Sequence, residues 1–253
     1  MNIKRLFEGF LMSLGMFSIF PIPHVWNKNA ANLIIPFLPI VGAIIGLFWW
    51  GLSLAAVNLS LVFSSVIIML IPFFLSGFIH IDGYMDTSDA LFSRRSMEEK
   101  RKILKDSNVG AFAVIMLAVL FFLSYAAVTE ILMRKVNLLM LLFIPIVSRS
   151  MVGLIMLRLR TFSQNGYAAA FKNNSKSVYS AVLLIYLAIV IITAFALLGV
   201  KSFFTISLMV LVSLLTAFYL YRQFGGISGD LCGCTLVITE LCGLISLSFT
   251  GAV

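Results

Sequence analysis

Seven stretches of this chain are apolar for long enough to cross a bilayer, and short polar loops separate them. They run over roughly 31–57, 59–79, 110–133, 137–157, 178–200, 202–220 and 231–252. A helix needs about 20 apolar residues to traverse the hydrocarbon core. Only 11% of the residues are charged and mean hydropathy is +1.09, whereas a soluble domain carries about 25% charged residues. Such a chain cannot cover its surface with polar groups in water. The expected fold is therefore an all-α integral membrane protein. It is one polytopic domain over residues 1–253, a bundle of about seven transmembrane helices. The N-terminal 1–26 carries Lys4, Arg5 and Glu8 ahead of the apolar run that ends in PIP. Glu8 breaks the run and no small-residue cleavage motif follows, so this reads as a retained interfacial segment, partly re-entrant, and not as a signal peptide. His24 and Lys28 mark the water boundary.

Lysine and arginine fix the orientation through the positive-inside rule. With the N-terminus inside, Lys4, Arg5, Lys28, the Arg94–Lys105 cluster, Arg158, Arg160, Lys172, Lys176 and Arg222 are cytoplasmic. Only Arg134, Lys135 and Lys201 fall outside. The loops 80–109, 158–177 and 221–230 then share the cytoplasmic face, together with all five aspartates. The net charge of +8 suits anionic lipid headgroups or anionic substrates. No stacking module or basic helix points to nucleic acid. Cys232, Cys234 and Cys242 sit inside one apolar segment, which argues against a disulfide framework or a zinc site.

The chemistry concentrates in HIDGYMDTSDALFSRRSMEEKRKILKD, His80 to Asp106, which holds six of the ten acidic residues. Asp82, Asp86 and Asp89 are spaced four and then three apart, so a helix through them would place all three on one face. Like charges at that spacing repel, and a divalent cation would remove the repulsion. Mg²⁺ prefers oxygen donors and is held by a few carboxylates with substrate phosphates and water. The competing reading is a solvated loop whose acids balance Arg94, Arg95 and Lys100–Lys102; for Glu98 and Glu99 that reading is preferred. His80 is either a general base, with a side chain that titrates near neutrality, or an interfacial hydrogen-bonding group. Asp106 reads as a helix cap for the following span, although Lys105 and Asp106 also sit where a phosphate and its metal could lie. In GGISGD, Gly229 offers backbone that could approach an anion, and Asp230 reads by default as another N-cap. Arg149 and Glu240 lie within the membrane at comparable depth, as a structural ion pair or a substrate contact. A transporter with a midplane site at that pair, among helices broken at Pro36, Pro39 and Pro145, is the alternative class. No paired halves support it. Walker A, HExxH, GxSxG and Rossmann motifs are absent.

The combination HxDGxxDTxD (80–89), KDSxxG (105–110) and GGxxGD (225–230), with VSRSMVGLIMLRLR and NGYAAAF between, resembles the cobalamin synthase family, adenosylcobinamide-GDP ribazoletransferase. The likeness covers nearly the whole chain. Ser76 stands in place of the first of two family glycines, Ala90 in place of a glycine after the third aspartate, and Ser228 in place of threonine. The resemblance implies a phosphotransferase of late cobalamin biosynthesis in the prokaryotic inner membrane. A hydroxyl of α-ribazole or its 5′-phosphate attacks the phosphate next to cobinamide in adenosylcobinamide-GDP, and GMP leaves. It implies Mg²⁺ as cofactor, with Asp82, Asp86 and Asp89 as metal ligands and His80 and Asp82 as catalytic residues. Arg94, Lys105, Asp106, Arg149, Gly229 and Asp230 are the implied substrate contacts. The sequence leaves open which acceptor is preferred and whether the protein is an oligomer.

Overall fold

A computed structural model describes residues 2–23, 25–162 and 177–250. His24, the loop carrying NGYAAAF with Lys172 and Lys176, and the last three residues lie outside the described residues. Among the described residues there are ten α-helices and no strand. They are α1 (Ile3–Phe17), α2 (Ile34–Ala56), α3 (Leu61–Leu75), α4 (Ile79–Phe92), α5 (Met97–Ile103), α6 (Ala111–Met133), α7 (Met140–Arg158), α8 (Ser177–Leu198), α9 (Val200–Phe224) and α10 (Gly229–Thr250). Six of them, α2, α6, α7, α8, α9 and α10, are long and apolar enough to cross a membrane. Helices α3 and α4 meet that test only together, bent by 93°. This is a multi-pass membrane protein of six or seven spans, as the hydropathy pattern predicts.

Two helices form the core of the bundle. Gly42 and Gly46 on α2 bring that helix onto the backbone of α7. A Cβ at Gly42 would meet the Pro145 carbonyl oxygen at 2.5 Å, and one at Gly46 would overlap the Leu142 carbonyl. Small residues that let backbones approach are the usual currency of helix packing in lipid. Around this contact Val41, Ile45, Trp49, Leu141, Ile144 and Val147 are fully buried. Trp49 also donates its indole N–H to the Ile68 carbonyl at 2.8 Å, fixing α3. Gly46→Ala is expected to cost about 1–3 kcal/mol through overpacking. Gly51→Ala, on the same helix with nothing within 4 Å, should stay within about 0.5 kcal/mol. Denaturation of the two variants in detergent checks the contrast.

The span read from the sequence as 59–79 is not one straight helix. It stops at Leu75, where Gly77 (φ 62) and Phe78 (φ 59) both adopt left-handed backbone. Phe78 N–H donates to the Phe73 carbonyl and Gly77 N–H to the Phe74 carbonyl, at 3.0 and 2.9 Å. That pair of bonds is a Schellman cap, with glycine where a left-handed residue is required. The freed Leu75 carbonyl accepts from Ile19 N–H at 3.0 Å. The chain then restarts as α4, so the segment 80–109, expected as a loop, holds two helices.

The N-terminal segment doubles back on itself. Helix α1 runs along α2, with Phe10 on Phe37 at 5.8 Å, and Phe20 beyond its end packs on Phe48 at 5.1 Å. An extended return containing Pro21 and Pro23 leads back out, until Asn27 donates to Glu8 at 2.6 Å. Residues without an N–H suit a return that has few ladder partners. The polar loops gather at one end of the bundle. On α5, Lys100 bonds Gln223 at 2.6 Å and Arg101 Nε bonds the Phe224 carbonyl at 2.7 Å, docking the basic helix on the end of α9. Thr161 bridges Ile227. Glu99 closes a capping box with Ser96 and pairs with Arg95 at 3.8 Å. Its carboxyl is held below the usual range by the Ser96 hydroxyl first and the Ser96 N–H second. Glu99 is thus an ordinary structural partner, as expected.

Candidate active site

Helix α4 carries Asp82, Asp86 and Asp89 on one element, as their spacing predicts, and buries its other side through Ile81, Tyr84, Thr87 and Ser88. Gly83 lets the start of α10 lie directly on α4: a Cβ there would meet Asp230 Cα at 2.8 Å. This close approach brings the Asp230 carboxylate into the field of Asp82 and Asp86. None of the three forms an ion pair among the described residues.

The third aspartate of α4 behaves differently. Asp89 accepts from Gly110 N–H at 2.6 Å and from Ala113 N–H at 2.9 Å, so both its oxygens cap the N-terminus of α6. The sequence assigned that cap to Asp106. Asp106 instead closes a local turn with Asn108, at 3.1 Å to its N–H and 2.8 Å to its side-chain amide. Asp230 is not a cap either. The Ser228 hydroxyl accepts from Leu231 N–H at 3.3 Å and donates to the Asp230 carboxylate at 3.3 Å. A cap supplied from a different helix leaves no local sequence signature, which is why α6 was misread. Asp89→Ala is expected to destabilise the protein by about 0.5–2 kcal/mol, the range for a lost N-cap. A fall in the thermal midpoint of the detergent-solubilised protein would show it.

A cavity of about 200 Å³ opens beside these acids. His80, Asp82, Arg149, Gly229 and Asp230 line it together with Met16, Phe17, Leu38, Val152, Met156 and Leu236. Five residues singled out in three separate motifs therefore meet at one chamber. Arg94, Lys105 and Asp106 do not line it and are exposed on the connecting segments. The His80 ring lies 5.9 Å from the Phe17 ring at an interplanar angle of 12°. The walls from α1, α2, α7 and α10 were not singled out, since an apolar residue in a membrane helix carries no distinguishing signal.

Arg149 is 1% exposed and pairs with Glu240 at 2.6 Å. Its Nη1 also reaches the Pro145 carbonyl and Ser148 hydroxyl at 3.4 Å, and its Nη2 donates to Ser76 Oγ at 3.0 Å. Ser148 donates to Glu240 at 2.8 Å. The pair is a charge-balanced structural unit joining α7, α10 and the end of α3. Two buried nitrogens at the cavity have no hydrogen-bond partner, His80 Nε2 and Arg149 Nε.

Among the described residues no group of three or more His, Cys, Asp or Glu side chains is placed to hold a metal ion. Hard oxygen donors without cationic partners nevertheless fit Mg²⁺, which binds through one or two carboxylates and completes its shell with water and substrate phosphates.

Fold and site define a polytopic membrane protein that presents uncompensated carboxylates, at the mouth of an apolar chamber, to one end of its bundle. Residues 9–248 match the cobalamin-5-phosphate synthase family, and the chain belongs to that family. A Clostridium botulinum protein named adenosylcobinamide-GDP ribazoletransferase is 38% identical over 247 residues, covering 96% of this chain and 98% of its own. A Clostridium perfringens protein of the same name is 37% identical over 249 residues, covering 97% and 99%. One from a Geobacillus strain is 28% identical over 240 residues, covering 91% of each chain. No solved structure matches.

Proposed function

We propose that this chain catalyses the reaction its relatives are named for, joining ribazole or its 5′-phosphate to the cobinamide phosphate of adenosylcobinamide-GDP. A ribose hydroxyl oxygen of the acceptor attacks the phosphorus next to cobinamide. The new O–P bond forms as the bond to the bridging oxygen breaks, the electron pair leaves with GMP, and the hydroxyl proton is given up to a base. Such phosphoryl transfer asks mainly for positioning and charge stabilisation. The observation that carries this reading is the meeting of His80, Asp82, Gly229 and Asp230 at one cavity mouth.

Asp82 together with Asp86 or Asp230 would hold Mg²⁺, with water and substrate phosphate completing its shell, while Asp89 stays with the α6 N-terminus. When bound, Mg²⁺ supplies charge neutralisation at the diphosphate. His80 Nε2, which lacks a partner, would take the hydroxyl proton. Gly229, with its small profile at the mouth, would let a phosphate approach the start of α10, where backbone N–H groups favour anions. The apolar walls keep water from competing with the acceptor hydroxyl. Exposed Arg94 and Lys105 would attract the anionic donor over longer range. The active end faces the cytoplasm of the prokaryotic cell in this reading, following the lysine and arginine bias.

Purified full chain in detergent, given adenosylcobinamide-GDP, ribazole and Mg²⁺, should release GMP. EDTA should stop release and excess Mg²⁺ should restore it. No release with all three components present would overturn the reading. A transporter finds no support, since Arg149 and Glu240 satisfy each other and the relatives carry a transferase name.

A further inference from the structure

The apolar cavity beside the carboxylates is a specificity pocket. Resting on the transferase reading above, we propose that it takes the uncharged fused-ring aromatic base of the acceptor nucleoside, leaving both phosphates of the donor at the mouth.

Size restricts the occupant first. Sites for drug-sized ligands measure about 300–1,000 Å³, and this chamber is about 200 Å³. It holds a fragment of a nucleoside, not a corrinoid macrocycle or a whole nucleoside diphosphate. Chemistry restricts it next. The interior walls are Met16, Phe17, Leu38, Val152, Met156 and Leu236. Methionine sulfur and aromatic faces pack well against flat rings. A phosphate inside would need a free cation, and Arg149 already faces Glu240 at 2.6 Å. A charge buried without a partner is very unfavourable, so the diphosphate stays outside, at the mouth.

Hydrogen bonding separates the two remaining candidates, the guanine of the donor and the base of the acceptor. Among the described residues, the two buried nitrogens of this lining that lack partners are Arg149 Nε and His80 Nε2. Guanine presents several donors and acceptors along its edge, and most would be left unpaired at a cost of about 1–3 kcal/mol each. A benzimidazole-type base presents one ring-nitrogen acceptor, so far fewer polar groups are left without partners. With the base seated there, the sugar hydroxyls lie toward the mouth, where His80 and the carboxylates can act on them.

The test is equilibrium binding to the full chain in detergent, without donor, metal or turnover. The probe is the intrinsic fluorescence of dimethylbenzimidazole riboside, with imidazole riboside as a smaller competitor. Val152→Phe narrows the chamber and should weaken dimethylbenzimidazole riboside at least tenfold while changing imidazole riboside less than twofold. Met156→Ala widens it and should admit a naphthimidazole riboside at least tenfold more tightly than wild type does. Equal weakening of both ribosides, or no change in either variant, would overturn the proposal. Binding is read without catalysis, so failure of the transferase reading would appear separately, as absent GMP release from the wild type.

Discussion

Replacing Asp82 by asparagine is expected to lower GMP release at least about 100-fold, the scale seen when one group that stabilises transition-state charge is removed. The side chain keeps its shape and loses only its charge, so the helix should be undisturbed. Asp82 is exposed at the cavity mouth, and an exposed charge change rarely moves stability by more than about 0.5 kcal/mol. Asp86→Asn and Asp230→Asn should behave in the same way, because those carboxylates share one field. Asp89→Asn should lose far less activity, since Asp89 spends both oxygens on α6. Single-turnover GMP release at saturating Mg²⁺, with unfolding midpoints alongside, measures all four. Near-normal turnover in the Asp82 variant would remove the metal assignment. An equally large loss at Asp89 would return that residue to the ion.

The second large effect concerns stability. Glu240→Ala leaves Arg149 charged, fully buried and without its 2.6 Å partner. Breaking one side of a buried pair costs about 3–5 kcal/mol, mostly from the charge left behind. Ser148 and Ser76 would retain their bonds to Arg149 but cannot neutralise it. The double variant Arg149→Met with Glu240→Leu should recover most of the loss, because apolar replacements of a buried pair are often neutral. Denaturant titration of the detergent-solubilised protein compares the three chains. Equal stability of wild type and Glu240→Ala would show that the pair is not a structural anchor.

These two predictions rest on features that differ in how legible they are in a sequence. The four-then-three spacing of Asp82, Asp86 and Asp89 is a local property, and it survives as a single helical element. The Arg149–Glu240 pairing was foreseeable only because intramembrane charges seek each other across an apolar interior. The break after Leu75 was missed although Gly77 was in plain view. Hydropathy reports burial over a window, and both arms of the bend are apolar enough to pass as one. The Asp89 cap was missed because its partners, Gly110 and Ala113, lie 21 and 24 residues away.

By itself the sequence determined the membrane class, the positions of six spans, the spacing of the three aspartates and the family motifs. Each of these is written in consecutive residues, through length, hydropathy or spacing. Only the tertiary structure decided which carboxylates meet. Gly83 admits Asp230 to the face of α4, while Asp89 on the same helix spends both its oxygens on the N-terminus of α6. It also decided that Phe17 of α1 and Met156 of α7 share one chamber with His80. Contacts of that kind depend on how closely two helix backbones can approach, and nothing in either helix alone records the distance.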